Sequence, residues 1–356
     1  MGIMRSKRVI SAALILGTAS IALTACDPPM PPEVAAQLAE QSYTCVEGDT
    51  TISAPGAMAD LFFGWADSLT YACVDPEPTM TMSLVEDPLT AGAEVSDYAP
   101  LCTAVTSVPL AVEAGVLVYY QSEVGSLNLS PKSIQKILNG SITNWNQLSA
   151  DNPGYEMPDF PLTVVPTADT QALKSLTDYL SINKLSVTSP VVSATDHPVI
   201  EQYAMLEDGQ VAIVPNSYAV LLGLYPAAIY LGTDKETQEP ILATPDVAGI
   251  QSASTQWVTS QDAKGVTVSL DPKKTPLAPE GSDFAPAPYQ AIYPVNYNMC
   301  DTDSLLTRAA GRFLLRLDNQ GALGASNYAP LPEAVRITAL LAISKGLPSP
   351  KPIPTE

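Results

Sequence analysis

Residues Ser130–Leu148 read SPKSIQKILNGSITNWNQL. Ile134, Ile137 and Leu138 fall at i, i+3 and i+4, the apolar stripe of a short amphipathic helix. Ser130 suits the N-cap, and Pro131 suits the first helical position, where its missing N–H costs nothing. Asn139–Gly140 predicts a left-handed C-cap. Ile142, Trp145 and Leu148 can then fold back as a second small apolar patch. On its residues alone this is a capped helix with a packed exit turn, and it carries no chemistry of its own.

Outward from that helix, strand and helix patterns alternate. Ala57–Tyr71 predicts a helix with Leu61, Phe62, Trp65 and Leu69 on one face, and Thr170–Leu180, Ser304–Leu317 and Pro332–Ser344 predict others. Met80–Val85, Leu162–Val165, Val211–Val214 and Ile292–Asn296 are strand candidates. Ala114–Tyr120 is apolar enough for a strand buried on both faces. The alternation implies an α/β architecture with largely parallel sheets. There is no internal repeat and no long low-complexity tract beyond the Pro-bearing ends.

The amino terminus reads as an export signal. Arg5, Lys7 and Arg8 precede the apolar run Val9–Ala25, which ends in Leu23-Thr24-Ala25-Cys26. A basic start, a short apolar run and small residues before the cut describe a secretory signal, with little apolar length for a spanning helix. Cysteine directly after Leu-Thr-Ala resembles a bacterial lipobox, which implies cleavage before Cys26 and lipid on its sulfur. An uncleaved anchor with Cys26 idle is the alternative. More than one acyl chain holds a protein stably on a membrane, and the Pro-rich stretch Asp27–Glu33 predicts a semi-rigid tether. With residues 1–25 removed and Cys26 taken by lipid, four cysteines remain to pair: Cys45, Cys73, Cys102 and Cys300. In an exported chain they predict two disulfides, with three connectivities open. A metal site is disfavoured, since no C-x-x-C spacing occurs and the one histidine is His197.

The chain has 356 residues and a net charge of −20; past the signal, 14 basic residues stand against 37 acidic, a net −23. A surface that acidic is a poor partner for nucleic acid or anionic headgroups. It does not exclude a small anion held by neutral dipoles inside a cleft. Proline is high at 33 residues and charged residues low at 15%, against about 25% in ordinary domains, which favours a loop-rich extracellular domain. About 330 residues suffice for two lobes.

The stretch Ser-Pro-x-x-Ile-x-x-Ile-Leu-x-Gly-x-Ile-Thr-Asn-Trp-Asn is also similar to the block that opens the second lobe in phosphate-specific solute-binding proteins of ABC importers. Other blocks follow in the same order. Ser53–Trp65 (SAPGAMADLFFGW) resembles that family's opening loop and first helix, and Ser96–Leu101 (SDYAPL) its Ser-Asp-Ala-Pro-Leu element with one residue inserted. Gly209–Ala219 (GQVAIVPNSYA) is similar to its strand and Tyr-Ala turn, and Tyr293–Tyr297 (YPVNY) to the strand that returns to the first lobe. Phe313–Val335, containing NQGALGASNYAPLPEAV, resembles its C-terminal helix and Tyr-Ala-Pro-Leu-Pro signature.

The resemblance implies a periplasmic-binding-protein-like fold, two α/β lobes joined by crossing strands with ligand in the cleft. Ligands of such sheets sit beyond the strands' carboxyl ends, where helix N-termini offer N–H groups to an anion. The expected division is signal 1–25, lipid-anchored tether 26–45, lobe I at 46–122 and 291–345, lobe II at 123–290, and a Pro-rich tail at 346–356.

In that family phosphate is held by an Arg, by Ser and Thr hydroxyls, by backbone N–H groups and by one Asp that accepts from a protonated phosphate oxygen. The resemblance carries the Asp onto Asp97; a turn or helix cap at Ser96–Asp97 is the other reading of those residue types. It carries the opening loop onto Gly56 and Ala57, which retain a backbone N–H. The second-lobe motif Arg-Ser-Asp-Gly-Ser-Gly-Thr-Thr falls on Pro166–Leu173, so Pro166 stands for the Arg, Gln171 for the Gly, Ala172 for the Thr, and Thr170 keeps a hydroxyl. Near Val85-Glu86-Asp87-Pro88, two carboxylates replace a Gly-Ser-Gly turn.

The function expected is that of an extracytoplasmic, lipid-anchored binding protein, a monomer that captures phosphate or a related small anion for an ABC permease. A degenerate relative without an anion site, acting as a surface interaction or sensory lipoprotein, is the alternative. No cofactor is implied. Hydrolase chemistry would need His197, which precedes Pro198 in a polar loop, and no paired carboxylate spacing supports it, so the chain is not read as an enzyme.

Overall fold

The computed structural model describes residues 44–74, 77–196, 200–278, 286–300 and 304–348. The signal, Cys26, nearly all of the tether, His197 and residues 349–356 of the tail lie outside the described residues. Two disulfides resolve the connectivity left open: Cys45 joins Cys73, and Cys102 joins Cys300.

One strand organises the sheet. Thr106–Tyr120 is a 15-residue strand buried along nearly all its length. Its first half pairs antiparallel with Ile292–Met299, from Thr106↔Met299 to Ala114↔Ile292. Its second half pairs antiparallel with Gln210–Pro215, from Gly115↔Pro215 to Tyr120↔Gln210. The partner therefore changes between Ala114 and Gly115. The sequence predicts only the 114–120 half, because Pro109 and Glu113 interrupt the apolar run before it.

On the first side the order is 257–262, 265–270, 106–120, 292–299, 93–96, 48–53, 80–84; on the other, 163–164 and 210–215 continue from the long strand, with 225–226 along its opposite edge. Gly48–Ser53 runs parallel to Met80–Leu84 and to Ala93–Ser96. The sheet is mixed rather than largely parallel, since the strands that cross between the two sides run in opposite directions. The hairpin Trp257–Leu270 bonds to the first side through Gly265↔Ser107, whereas the sequence division puts 123–290 in the second lobe.

The helices obey their local signals. Pro131–Leu138 is capped by Ser130, whose Oγ accepts from Ser133 N at 3.2 Å, and Gly140 follows at φ 66°. Trp145 is fully buried and its Nε1 donates to Gly209 O at 3.2 Å, fastening the exit turn to the second-side sheet. The pattern over Ser304–Leu317 splits in two, Leu305–Leu314 and Leu317–Ala322, with Arg316 extended between them. No described helix is long and apolar enough to cross a membrane.

Gly115 is where the second lobe's helix Thr170–Ile182 meets the long strand. A Cβ there would lie 2.2 Å from Ala172 O and 2.4 Å from Ser175 Oγ. Only a hydrogen lets the helix start that close. Gly115→Ala is expected to destabilise the protein by about 1–3 kcal/mol through overpacking. Gly125→Ala, with nothing within 4 Å of the added Cβ, should stay within about 0.5 kcal/mol. Urea unfolding of the two variants checks this. The Cys102–Cys300 bridge closes a span of 198 residues, and replacing both cysteines by Ser is expected to cost about 2–5 kcal/mol in the same assay.

Candidate functional site

Strand ends from both sides converge around the change of partner on Thr106–Tyr120. Glu113 stands directly across from Tyr293 in the register with Ile292–Met299. The carboxyl is buried and accepts from Ala114 N at 2.8 Å; Ser217 N lies 3.3 and 3.4 Å from its two oxygens. Ser217 sits in the short helix Asn216–Leu221, entered directly from the end of Gln210–Pro215. Tyr328 is brought near by the antiparallel bridge between Val112 and Ala329.

Asp97 follows the strand Ala93–Ser96. Its loop is held at both ends: Glu94 Oε2 accepts from Leu101 N at 2.8 Å and Cys102 N at 3.3 Å, and Cys102 is bonded to Cys300. Ser96 Oγ accepts from Asn298 Nδ2 at 3.0 Å. The turn reading of Ser96–Asp97 has a local contact behind it, since Ser96 Oγ donates to Tyr98 O at 3.2 Å, while the Asp97 carboxyl has the Tyr293 hydroxyl beside it.

Asp169 ends the strand Thr167–Asp169 and caps the helix Thr170–Ile182, accepting from Ala172 N at 2.8 Å. Thr170 begins that helix, half-buried beside it. Pro166, in the place of the family's Arg, offers only its carbonyl, which accepts from Ser193 N at 2.8 Å.

These groups feel one another. Burial pushes the Asp97 carboxyl up to about 7, and the Asp169 charge pushes the same way, against the Asp97 amide and the Tyr293 hydroxyl. Burial likewise raises Glu113 to about 8, with Asp97 adding to the rise and the groups of Ser217 and Ala114 opposing it. Burial and the Asp97 charge raise the Tyr218 phenol to about 12, while the amides of Gly56 and Ala57 hold it down. The Tyr98, Tyr293 and Tyr328 phenols are all raised, by burial first and then by carboxylates of this cluster.

Asp97 thus has the Asp169 charge near it, and Thr170 follows Asp169 in the chain at the start of the helix. Gly56 and Ala57 lie at the turn Gly56–Met58 before the helix Ala59–Ala72, where their amides face the Tyr218 hydroxyl. Glu86 and Asp87 are exposed, and Asp87 turns onto its own loop, accepting from Leu89 N at 2.9 Å. All four described arginines are engaged among the C-terminal helices: Arg308 and Arg312 with residues 342–344, Arg316 with Asp318, Arg336 with Glu333. Sequence reasoning missed Glu113, Asp169, Ser217 and the tyrosines. Glu113 alone left a signal, an acid inside the apolar run Val108–Val118.

No family model matches the chain, and no curated protein does. Solved structures do resemble it. A high-affinity periplasmic phosphate-binding protein (PfluDING) bound with phosphate is similar at a TM-score of 0.52 and 13% identity, over 85% of this chain and 100% of that one. The ancestral soluble variant of the human phosphate-binding protein matches at 0.52 and 12% identity, over 82% of this chain and 92% of that one. A DING protein matches at 0.52 and 12%, over 81% and 93%. At such identities the likeness is one of fold, and the chain has the two-lobe α/β fold with crossing strands that these periplasmic-binding-protein-like structures have.

Proposed function

We propose that this chain is a solute-binding protein that takes a small polar solute into the cleft between Asp97 and Glu113 on one lobe and Asp169, Thr170 and Ser217 on the other. The observation that supports this most is the convergence of strand ends from both lobes on that cleft, where open α/β sheets bind ligands. Two lobes joined by crossing strands can close around a solute by hinge motion. Lipid on Cys26 would hold the protein on the outer face of the cell membrane, as a monomer delivering its cargo to an ABC permease; binding, not catalysis, is its role.

Phosphate or a related small anion is the cargo that the resemblance implies. Thr170 Oγ1 and the amides at the start of Thr170–Ile182 favour it. A bidentate, charge-assisted arginine partner is absent among the described residues of the cleft, and the Gly56 and Ala57 amides already face a phenol. The balance of charge favours a solute that brings its own hydrogen-bond donors. Were no solute bound, the degenerate reading, a surface interaction or sensory lipoprotein, would take its place.

A thermal-shift screen of the chain from residue 27, with phosphate, sulfate, sugars, amino acids and amines at millimolar concentration, tests the proposal. At a hundredfold excess over Kd, a solute bound only by the folded state adds about 2.7 kcal/mol. At least one class is expected to raise the melting temperature of the wild type by several degrees and to lose that effect in Asp97→Asn. A screen in which no class shifts the wild type would falsify the solute-binding reading.

A further inference from the structure

At the base of the Asp97 loop lies a cluster of reactive groups that the solute-binding reading does not use. One carboxylate oxygen of Glu94 and the sulfurs of Cys102 and Cys300 all lie within 4.8 Å of one another. Glu94 stands across from Asn298 in the pairing of Ala93–Ser96 with Ile292–Met299, and Cys300 directly follows that second strand. Glu94 is 1% exposed, whereas both cysteines are half-buried and within reach of solvent.

Only one of the two Glu94 oxygens is accounted for. Oε2 accepts from Leu101 N and Cys102 N, a staple that a glutamine carbonyl would make as well. Oε1 is buried and has no hydrogen-bond partner among the described residues. A buried polar atom left in that state costs about 1–3 kcal/mol, and more when the group is charged. A cation held between this oxygen and the two sulfurs would remove that cost, and the sulfurs are free to take one once their bond is reduced.

The ligand set selects the cation. Thiolates bind zinc and similar soft ions, and a carboxylate completes such sites; calcium and magnesium take oxygen ligands instead. Two sulfurs on tetrahedral zinc stand about 3.8 Å apart, a separation that cysteines with Cα atoms 5.3 Å apart reach by turning their side chains. The amides on Oε2 fix the carboxylate's orientation, as partners behind a metal ligand do. The backbone keeps the three groups together without the disulfide, since Cys300 N donates to Gly92 O at 3.0 Å while Glu94 holds Cys102 N.

We propose that Glu94, Cys102 and Cys300 form a redox-gated zinc site, a disulfide in the oxidised protein and a three-ligand metal centre in the reduced one, with water in the fourth position. A dithiol donor carries out the reduction. Its two S–H bonds break and its sulfurs join, while two electrons and two protons pass to Cys102 and Cys300 as their S–S bond opens. Zn2+ then releases the two thiol protons to solvent as two Zn–S bonds form. The metal takes the disulfide's place as an anchor of the loop 97–101, so Asp97 stays in position in both states. The two cysteines are 198 residues apart, which is why no metal-binding spacing is visible in the sequence.

The test uses the chain from residue 27, reduced with a phosphine that binds metals weakly, with Cd2+ and Zn2+ as probes. Cd2+ bound by thiolates shows a sulfur-to-metal charge-transfer absorption. A single Cd2+ per chain is expected at this pair in the reduced Cys45→Ser/Cys73→Ser variant, and none in the same variant oxidised or in reduced Cys102→Ser/Cys300→Ser. Zn2+ should raise the melting temperature of the reduced protein, as a ligand of the folded form does, and leave the oxidised protein unmoved. Glu94→Gln keeps the staple and loses the anionic ligand. It should weaken Cd2+ binding by at least about tenfold, a loss seen even for groups behind a ligand. Zinc-edge X-ray absorption of the reduced Cys45→Ser/Cys73→Ser variant gives the ligand set with Glu94 in place, and two sulfurs with oxygen are expected. A reduced protein that takes up no ion, or that unfolds with Zn2+ present, would overturn the proposal. So would unchanged affinity in Glu94→Gln, equal binding by the oxidised chain, or a zinc environment without sulfur.

Discussion

A single strand shared by two sheets is the constraint on which the rest depends. Thr106–Tyr120 exchanges its partner between Ala114 and Gly115, so both lobes inherit their register from one segment of backbone. Glu113 is the second residue before that change and Gly115 the first after it. The glycine lets the helix Thr170–Ile182 approach close enough for its capping Asp169 to act on Asp97. The cleft's chemistry is therefore built into the hinge. A side chain at 115 would move the helix, and with it the carboxyl that faces the first lobe.

Around that strand, rigidity is supplied where Asp97 needs it. The Asp97 loop is bounded by Glu94, which takes two backbone amides, and by the disulfide to the far end of Ile292–Met299. A carboxyl with a raised pKa is costly to keep, since it faces burial and a neighbouring charge together. Such cost persists where the surrounding structure leaves the group no other place to go, and perturbed groups of this kind gather at functional sites more often than elsewhere.

The fold was legible because its strongest signals are local. The cap of Pro131–Leu138, its Gly140 exit and the buried Trp145 follow from residues a few positions apart. Sequence blocks similar to phosphate-binding proteins implied the two-lobe fold that the solved structures share at a TM-score of 0.52. What escaped was tertiary. Gly48–Ser53 (GDTTIS) is too polar to announce a strand, and the hairpin Trp257–Leu270 exposes most of its first strand. The site was half legible. Asp97 and Thr170 came through resemblance, but Asp169 has a sufficient local reason to exist as a helix cap, which hid its second role. Tyr218, Tyr293 and Tyr328 come from three segments far apart in the chain, and no spacing announces that they meet. Departures at Pro166 and Ala172, visible in the sequence, did register the loss of an arginine site.

The most direct test of this account is the titration of Asp97 and Glu113 in the ligand-free protein, followed by carboxyl-carbon NMR with Asp97→Asn and Glu113→Gln for assignment. Values of about 7 and about 8 are predicted, from a buried cleft in which carboxyls face one another without a cation. Titration of both near the ordinary carboxylate value of about 4 would contradict it, and would mean that the cleft is open to water or neutralised by a charge from elsewhere.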